Sequence, residues 1–198
     1  MIALIERFSR NFSHRRYDGE NIYIRPPSSK DWREWSNIRS ESREFLEPWE
    51  PTWPEDALTR ETYRRRLQQH SREAREEEGY AFFIFRQKDN ILLGGINVSN
   101  VSRGIRMSCS IGYWIGRRYA RQGYMTEAIK IVVGFIFEEL HLFRIEAGCV
   151  PTNYPSSQLL KNLGFQEEGY ARKYLNINGR RHDHILFSLL VTDKRPLI

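Results

Sequence analysis

The segment Ile111–Ile129 reads IGYWIGRRYARQGYMTEAI, and its two ends obey different periodicities. Its start completes MSCSIGYWIG, an apolar strand-like run over 107–116, and from Met125 apolar residues recur at helical spacing to Leu140. Between them stand Arg117, Arg118 and Arg121, with Gly116 and Gly123. A strand, an arginine-glycine loop and a helix together form a physical recipe for anion binding. The first amides of a helix lack intrahelical acceptors and sit at the positive end of its macrodipole. Gly123 permits a positive φ or a close ligand approach, and the arginines add mobile cations. A diphosphate would satisfy all of these groups; an ordinary loop with solvated arginines is the plain alternative. The Walker pattern fails, because Gly116 and Gly123 are seven apart and no Lys-Ser/Thr follows. The dinucleotide pattern GxGxxG fails as well.

The surrounding chain bounds the answer. Its 198 residues fit one domain, at about 100 to 200 residues per domain. A hydrophobic fraction of 40% with 13% aromatics argues for a folded globule. The most apolar run, IVVGFIF from Ile131, is too short for a membrane span, so no membrane role is expected. Residues 1–16, rich in Arg and Ser, have the composition of a transit peptide. A short amphipathic extension over 1–20 is the favoured reading, because no cleavage-like spacer follows. Cys109 and Cys149 lie far apart in strand-like runs, without CxxC or zinc spacing, and read as buried free thiols of a reducing, cytoplasmic compartment. A net charge of +6 and a pI near 9.4 fit an anionic ligand, an acidic partner or a ribonucleoprotein neighbourhood.

Working outward, NIYIRPP at 21–27 alternates as a strand, and Ser28 and Ser29 can cap a helix carrying Trp32, Trp35, Ile38 and Phe45. FLEPWEPTWPED then breaks that helix with prolines and forms an unusually aromatic loop. Residues 57–78 read as a solvated, charge-laced helix; acids and bases balance, which disfavours a nucleic-acid arm. YAFFIFR, ILLGGINVSNV and MSCSIGYWIG are consecutive strands. After the helix over 125–140 come the strand RIEAGCV, a short helix in NYPSSQLLKNLG ending at Gly164, and strands around 168–177 and 183–190 joined through Asn178-Gly179. The predicted order is β α α β β β α β α β β, with no internal repeat or second-domain boundary.

With these elements placed, IGYWI, GYMTEAI, PTNYPSSQLLKNLGFQEEGYARKYLNINGRRHDH and the early PWEP together resemble the GCN5-related N-acetyltransferases, in particular the ribosomal-protein-alanine (RimJ/RimL) subgroup. The resemblance runs from about Ile22 to Leu190. It implies a single-domain α/β (α+β) fold, a mixed but mostly antiparallel sheet flanked by helices, with a cofactor cleft between the fourth and fifth strands. The domain is expected over 21–192, with a tail at 193–198. The implied ligand is acetyl-CoA, without a metal. The family's pyrophosphate pattern Q/R-x-x-G-x-G/A falls on Ala120–Met125, where only Gly123 matches strictly.

The same resemblance implies site residues. Backbone groups of Ile111 to Gly116, including Tyr113, Trp114 and Ile115, would bind the pantetheine arm and the acetyl carbonyl. Arg118, Arg121, Gln122, Gly123, Tyr124, Met125 and Thr126 would hold the pyrophosphate. Asn153 would bond the pantetheine, although Asn before a helix also caps it well. Ser156 is the candidate proton donor to the thiolate, since Leu160 stands where many relatives place a tyrosine. The glutamate base of some relatives aligns with Leu175, which leaves Glu50 as substitute base or as a rim carboxylate. Trp49, Glu50, Trp53, Asp183 and His184 are expected to border the acceptor. His182 and His184 share a strand face, but no third metal ligand is suggested.

An α-amine near pKa 7.8 is about one-seventh neutral at pH 7, against roughly one part in 2,500 for a lysine. A missing base therefore fits an α-amine acceptor better than a lysine. The leading expectation is acetylation of a protein N-terminus, of the ribosomal class, by a monomer or homodimer without nucleic-acid specificity. Acetylation of a small amine (an antibiotic or polyamine) and a non-enzymatic ribosome- or RNA-associated module are the alternatives.

Overall fold

The computed structural model describes residues 12–194. The expected N-terminal extension lies outside the described residues as far as Asn11, and the tail beyond Lys194 does too. The rest of that extension is built into the sheet and core. Phe12 is buried, and β1 (Tyr17–Asp18) pairs antiparallel with β2 (Ile22–Arg25).

The described strands continue with β3 (Tyr80–Arg86), β4 (Leu92–Ser102), β5 (Ser108–Ile115), β6 (Arg144–Cys149), β7 (Gln166–Ile177) and β8 (Arg180–Leu190). They form one sheet in the order β1-β2-β3-β4-β5-β6-β8-β7. Every neighbouring pair is antiparallel except β5 and β6. A parallel pair needs a crossover, and helix α4 (Tyr124–Gly134), extended by a π turn over Phe135–Glu139, supplies it. The other helices are α1 (Trp32–Glu41), α2 (Arg43–Leu46), α3 (Arg60–Arg75) and α5 (Tyr154–Asn162).

β3 shows why the sheet has helices on both faces. Its residues Tyr80 to Phe85 are all buried, the pattern of a strand covered on each side. Phe83 turns toward Tyr63 of α3, which itself packs on Trp35 of α1 at 4.9 Å. Tyr80 and Phe82 turn the other way, edge-on to Phe135 at 5.2 Å each. Each such ring contributes about 1.5–3 kcal/mol of burial.

The long first helix expected from Ser28 is interrupted. Ser42, with φ −105 and ψ 10, ends α1 and begins α2, and its buried hydroxyl accepts from the amide of Arg117 at 3.0 Å. The amide of Ser28 donates to Asp31 Oδ2 at 2.7 Å, so the predicted cap region is real but opens with a 3-10 turn over Ser29–Asp31. The Asn178-Gly179 hairpin forms with both residues at positive φ.

Candidate active site

The parallel ladder between β5 and β6 is short. It runs Ser108↔Arg144, Cys109↔Ile145, Ser110↔Glu146 and then stops, while both strands continue. These are the fourth and fifth strands of the predicted order, and their separation opens a cleft of about 420 Å³.

The edge of β5 left bare there can be assigned by alternation. The amide of Gly116 donates to Leu93 O at 2.8 Å, which fixes Gly116, Trp114 and Gly112 as residues bonded to β4. The backbone groups of Ile111, Tyr113 and Ile115 therefore face the cleft. This narrows the expectation for Ile111 to Gly116: Gly116 and Trp114 have no free backbone groups to offer, and Trp114 lines the cleft through its indole. Gly116 has a packing role instead, since a Cβ there would sit 2.5 Å from Ile38 Cδ1 of α1.

Beyond Gly116 a 3-10 turn (Arg117–Tyr119) leads to Arg121 at φ 60 and Gly123 at φ 84, immediately before α4. The amides of residues 121–126 donate to no protein group among the described residues, whereas that of Glu127 returns to Gly123 O at 3.1 Å. A Cβ on Gly123 would meet nothing within 4 Å, so the space in front is open. Arg118 pairs with Glu41 at 3.6 Å, Gln122 donates to Arg118 O at 2.8 Å, and Arg121 is exposed. Met125 is buried in the core, which leaves only its backbone for a ligand. An open strand edge leading to free helix-start amides fits a pantetheine arm ending in a diphosphate.

Across the cleft, Asn153 Oδ1 accepts from the amide of Ser156 at 3.2 Å and caps α5, as its alternative role required. Its side-chain amide nitrogen is not used by that cap. Ser156 Oγ lies 2.9 Å from the hydroxyl of Tyr113. Burial pushes the Tyr113 phenol well above its ordinary value, opposed in part by the Ser156 bond, so it stays protonated. The sequence placed Tyr113 here for its backbone; the hydroxyl pairing with Ser156 gave no local signal. Cys149 also lines the cleft, and burial raises its thiol; Cys109 is buried elsewhere, its thiol pushed up to about 12 by burial and then by Glu146. Both are free thiols.

At the acceptor end the aromatic loop contributes Trp49, Glu50 and Pro51 to the lining. Glu50 is clamped by Arg39, through Nη1 at 3.1 Å to Oε1 and Nη2 to Oε2, and Oε2 also accepts from Trp53 Nε1 at 2.9 Å. A carboxylate so engaged suits a positioning role better than proton abstraction. Trp53 stands behind Glu50, outside the cleft lining, with the Arg39 guanidinium 4.3 Å from its ring. The backbone of Glu50 accepts from Asn178 at 2.9 Å, joining this loop to the β7–β8 hairpin.

His184, 2% exposed, borders the cleft, but Asp183 does not. Asp183 points to the other face of β8, accepting from Tyr170 Oη at 2.6 Å and the amide of Lys173 at 2.7 Å. The expectation that it borders the acceptor is therefore corrected by strand alternation. Leu175 is 45% exposed on β7 and carries no titratable group into the site. Among the described residues no cluster of His, Cys, Asp and Glu could hold a metal, and no helix is long and apolar enough to cross a membrane.

A sheet split at its parallel pair beside a helix-start amide loop is the architecture of an acyl-group transferase. Residues 21–166 match the acetyltransferase (GNAT) domain model, and the chain belongs to that family as an N-acetyltransferase. It is 37% identical over 175 residues, 88% of this chain and 97% of the relative, to Probable N-acetyltransferase YjcK of Bacillus subtilis (strain 168). It is 32% identical over 177 residues, 89% of this chain and 91% of the relative, to the ribosomal protein uS5-alanine N-acetyltransferase of Escherichia coli (strain K12). Among solved structures, Mycobacterium smegmatis RimJ in complex with CoA-disulfide superposes with a TM-score of 0.81 at 31% identity, covering 86% of this chain and 82% of that one.

Proposed function

We propose that the protein transfers an acetyl group from acetyl-CoA to the N-terminal α-amine of a protein, a ribosomal protein being the favoured acceptor, in the cytoplasm. The observation that carries this reading is the opening of β5 from β6 after Ser110 and Glu146, which leads along a bare backbone edge to the free amides of residues 121–126. Similarity to the uS5-alanine enzyme supports the acceptor class.

Acetyl-CoA supplies the thioester. The cleft-facing backbone groups of Ile111, Tyr113 and Ile115 and the side-chain amide of Asn153 hold the pantetheine arm. Gln122, Gly123, Tyr124, Met125 and Thr126 hold the diphosphate through their amides, with Arg121 and Arg118 alongside. The Tyr113–Ser156 pair, hydrogen-bonded at 2.9 Å, would supply a proton to the departing sulfur. Trp49 and the Arg39-held Glu50 position the acceptor. Because the Glu50 charge is already matched by Arg39, the acceptor end offers little attraction to a polyamine, which supports a peptide terminus over a small polycation.

The test is a screen of peptide N-termini, internal lysines and small amines for CoA release, with acetylated products located by mass spectrometry. Acetyl-CoA should also raise the melting temperature by ligand linkage. A clear preference for a lysine side chain, or no response to acetyl-CoA at all, contradicts the reading.

A further inference from the structure

We propose that His184 is the general base of the transfer, taking a proton from the acceptor amine through Nε2. The proposal rests on the acetyltransferase reading above and adds the group that reading lacks.

His184 sits at the point where β8 runs past β6, while still paired with Ala171 of β7. The β6–β8 ladder extends to Cys149↔Ile185, so His184 lies one residue past it and faces the opened cleft. Its Nδ1 is 3.0 Å from the backbone oxygen of His182. A carbonyl oxygen only accepts, so Nδ1 carries the hydrogen, and the neutral ring then has its lone pair on Nε2. Among the described residues no protein group bonds that nitrogen, although the residue as a whole is only 2% exposed. A buried imidazole with one nitrogen fixed and the other bare at a cavity wall is the arrangement of an oriented base.

The ring is held in place from both sides. Tyr174 of β7 packs against it at 5.6 Å and 61°. On the other side lies Gly148 of β6, the partner of Leu186, where a Cβ would stand 3.8 Å from His184 Cδ2, at ordinary van der Waals distance. The charged and titratable groups that share the cleft are Arg39 of α1, Arg66 of α3, Glu50, Tyr113 of β5 and Cys149 of β6. Of these, Glu50 is held by Arg39 and Trp53, while burial raises Tyr113 and Cys149 into their protonated forms. His184 is the cleft group that presents an unbonded ring nitrogen to the cavity.

The step balances without any further reactant. The amine nitrogen bonds to the acetyl carbon, and a proton on that nitrogen passes to Nε2 and then to solvent. The carbon–sulfur bond breaks with its electron pair on sulfur, which takes a proton from the Tyr113–Ser156 pair. Solvent restores that proton.

The test compares the whole chain with its His184→Gln variant, whose side-chain amide can still donate to His182 O. Turnover of a peptide N-terminus at saturating acetyl-CoA is followed from pH 6 to 9. The expected result is a fall in kcat of about 100-fold with little change in the KM for acetyl-CoA, and loss of the acidic limb of the profile. The acetyl-CoA-induced melting shift should be unchanged. A variant within about threefold of the wild-type kcat, with the limb intact, overturns the proposal while leaving the acetyltransferase reading untouched; an inert wild type overturns that reading instead. An independent readout covers a variant that fails to fold: nitrogen-15 NMR of the wild-type imidazoles should show His184 with hydrogen on Nδ1 and a bare Nε2 at neutral pH. Hydrogen on Nε2 in the neutral ring overturns the assignment.

Discussion

The hydroxyls of Tyr113 and Ser156 lie 2.9 Å apart across the gap between β5 and α5, closing the wall of the cleft where the sheet has split. Neither residue is near the other in the chain, and each has a second reason to be where it is. Tyr113 packs partly against the core, and Ser156 belongs to the first turn of a helix capped by Asn153.

That pairing predicts a shared effect on turnover. Tyr113→Phe and Ser156→Ala should each lower kcat by about 10- to 100-fold, with a combined loss well short of the product, because both remove one proton route. Steady-state CoA release with the double variant checks it. Since burial raises the Tyr113 phenol, the wild type should show no alkaline loss of activity from this group below pH 10.

Arg39 and Glu50 make the second prediction. Arg39→Met removes the guanidinium that clamps Glu50, leaving a carboxylate with 21% of its side-chain surface exposed, the Trp53 hydrogen bond, and Arg66 as the remaining cation of the cleft. The cost should be about 2 kcal/mol, below the roughly 3–5 kcal/mol of a fully buried broken pair, because Glu50 can still reach water. Urea unfolding measures this directly. Acceptor KM should rise as well, whereas acetyl-CoA affinity should not.

Gly123 separates backbone strain from ligand approach. Gly123→Ala at φ 84 should cost about 1 kcal/mol, a drop of about 2–4 °C in Tm, and in addition weaken acetyl-CoA binding at least tenfold. Gly104→Ala is the control, with φ +68 and open space around it but a position in the β4–β5 connection away from the cleft. Equal losses of affinity in the two variants would show that the Gly123 effect is not local.

The pH dependence of stability has a specific contributor in Glu168. The Arg144 hydrogen bonds, and then Ser188, lower this carboxyl from 4.5 to about 2. A depressed folded-state value means the stabilisation is complete above about pH 4.5 and disappears as the pH falls through about 2. With 43% of its side chain exposed, the pair should be worth less than about 1 kcal/mol. Glu168→Gln should therefore flatten the acid slope of the unfolding free energy over that interval and change little else.

Much of the fold is legible because its signals are local. The alternation of YAFFIFR, the Asn178-Gly179 turn and the Asn153 cap act within a few residues, and each appears where the pattern places it. The departures are of two kinds. At Ser42, where α1 gives way to α2, the hydroxyl accepts from the Arg117 amide far along the chain, and the long helix after Gly123 ends in a π turn, with Leu140 N bonded to Phe135 O at 3.1 Å. No periodicity of apolar residues reports either event, because both preserve the buried face.

By itself the sequence determined that a strand, an arginine-glycine loop and a helix adjoin at residues 111–129, and hence that unpartnered amides would gather beside Gly123. The tertiary structure decided what surrounds them. The ladder of β5 and β6 stops at Ser110 and Glu146, Tyr113 meets Ser156 across a separation of 43 residues, Arg39 claims Glu50, and strand alternation turns Asp183 away while turning His184 inward. The physical reason is the range of the interactions: helix starts, turns and caps are set by bonds between near neighbours, whereas a cleft wall is set by which strand edges part and which side chains from distant segments then fill the space.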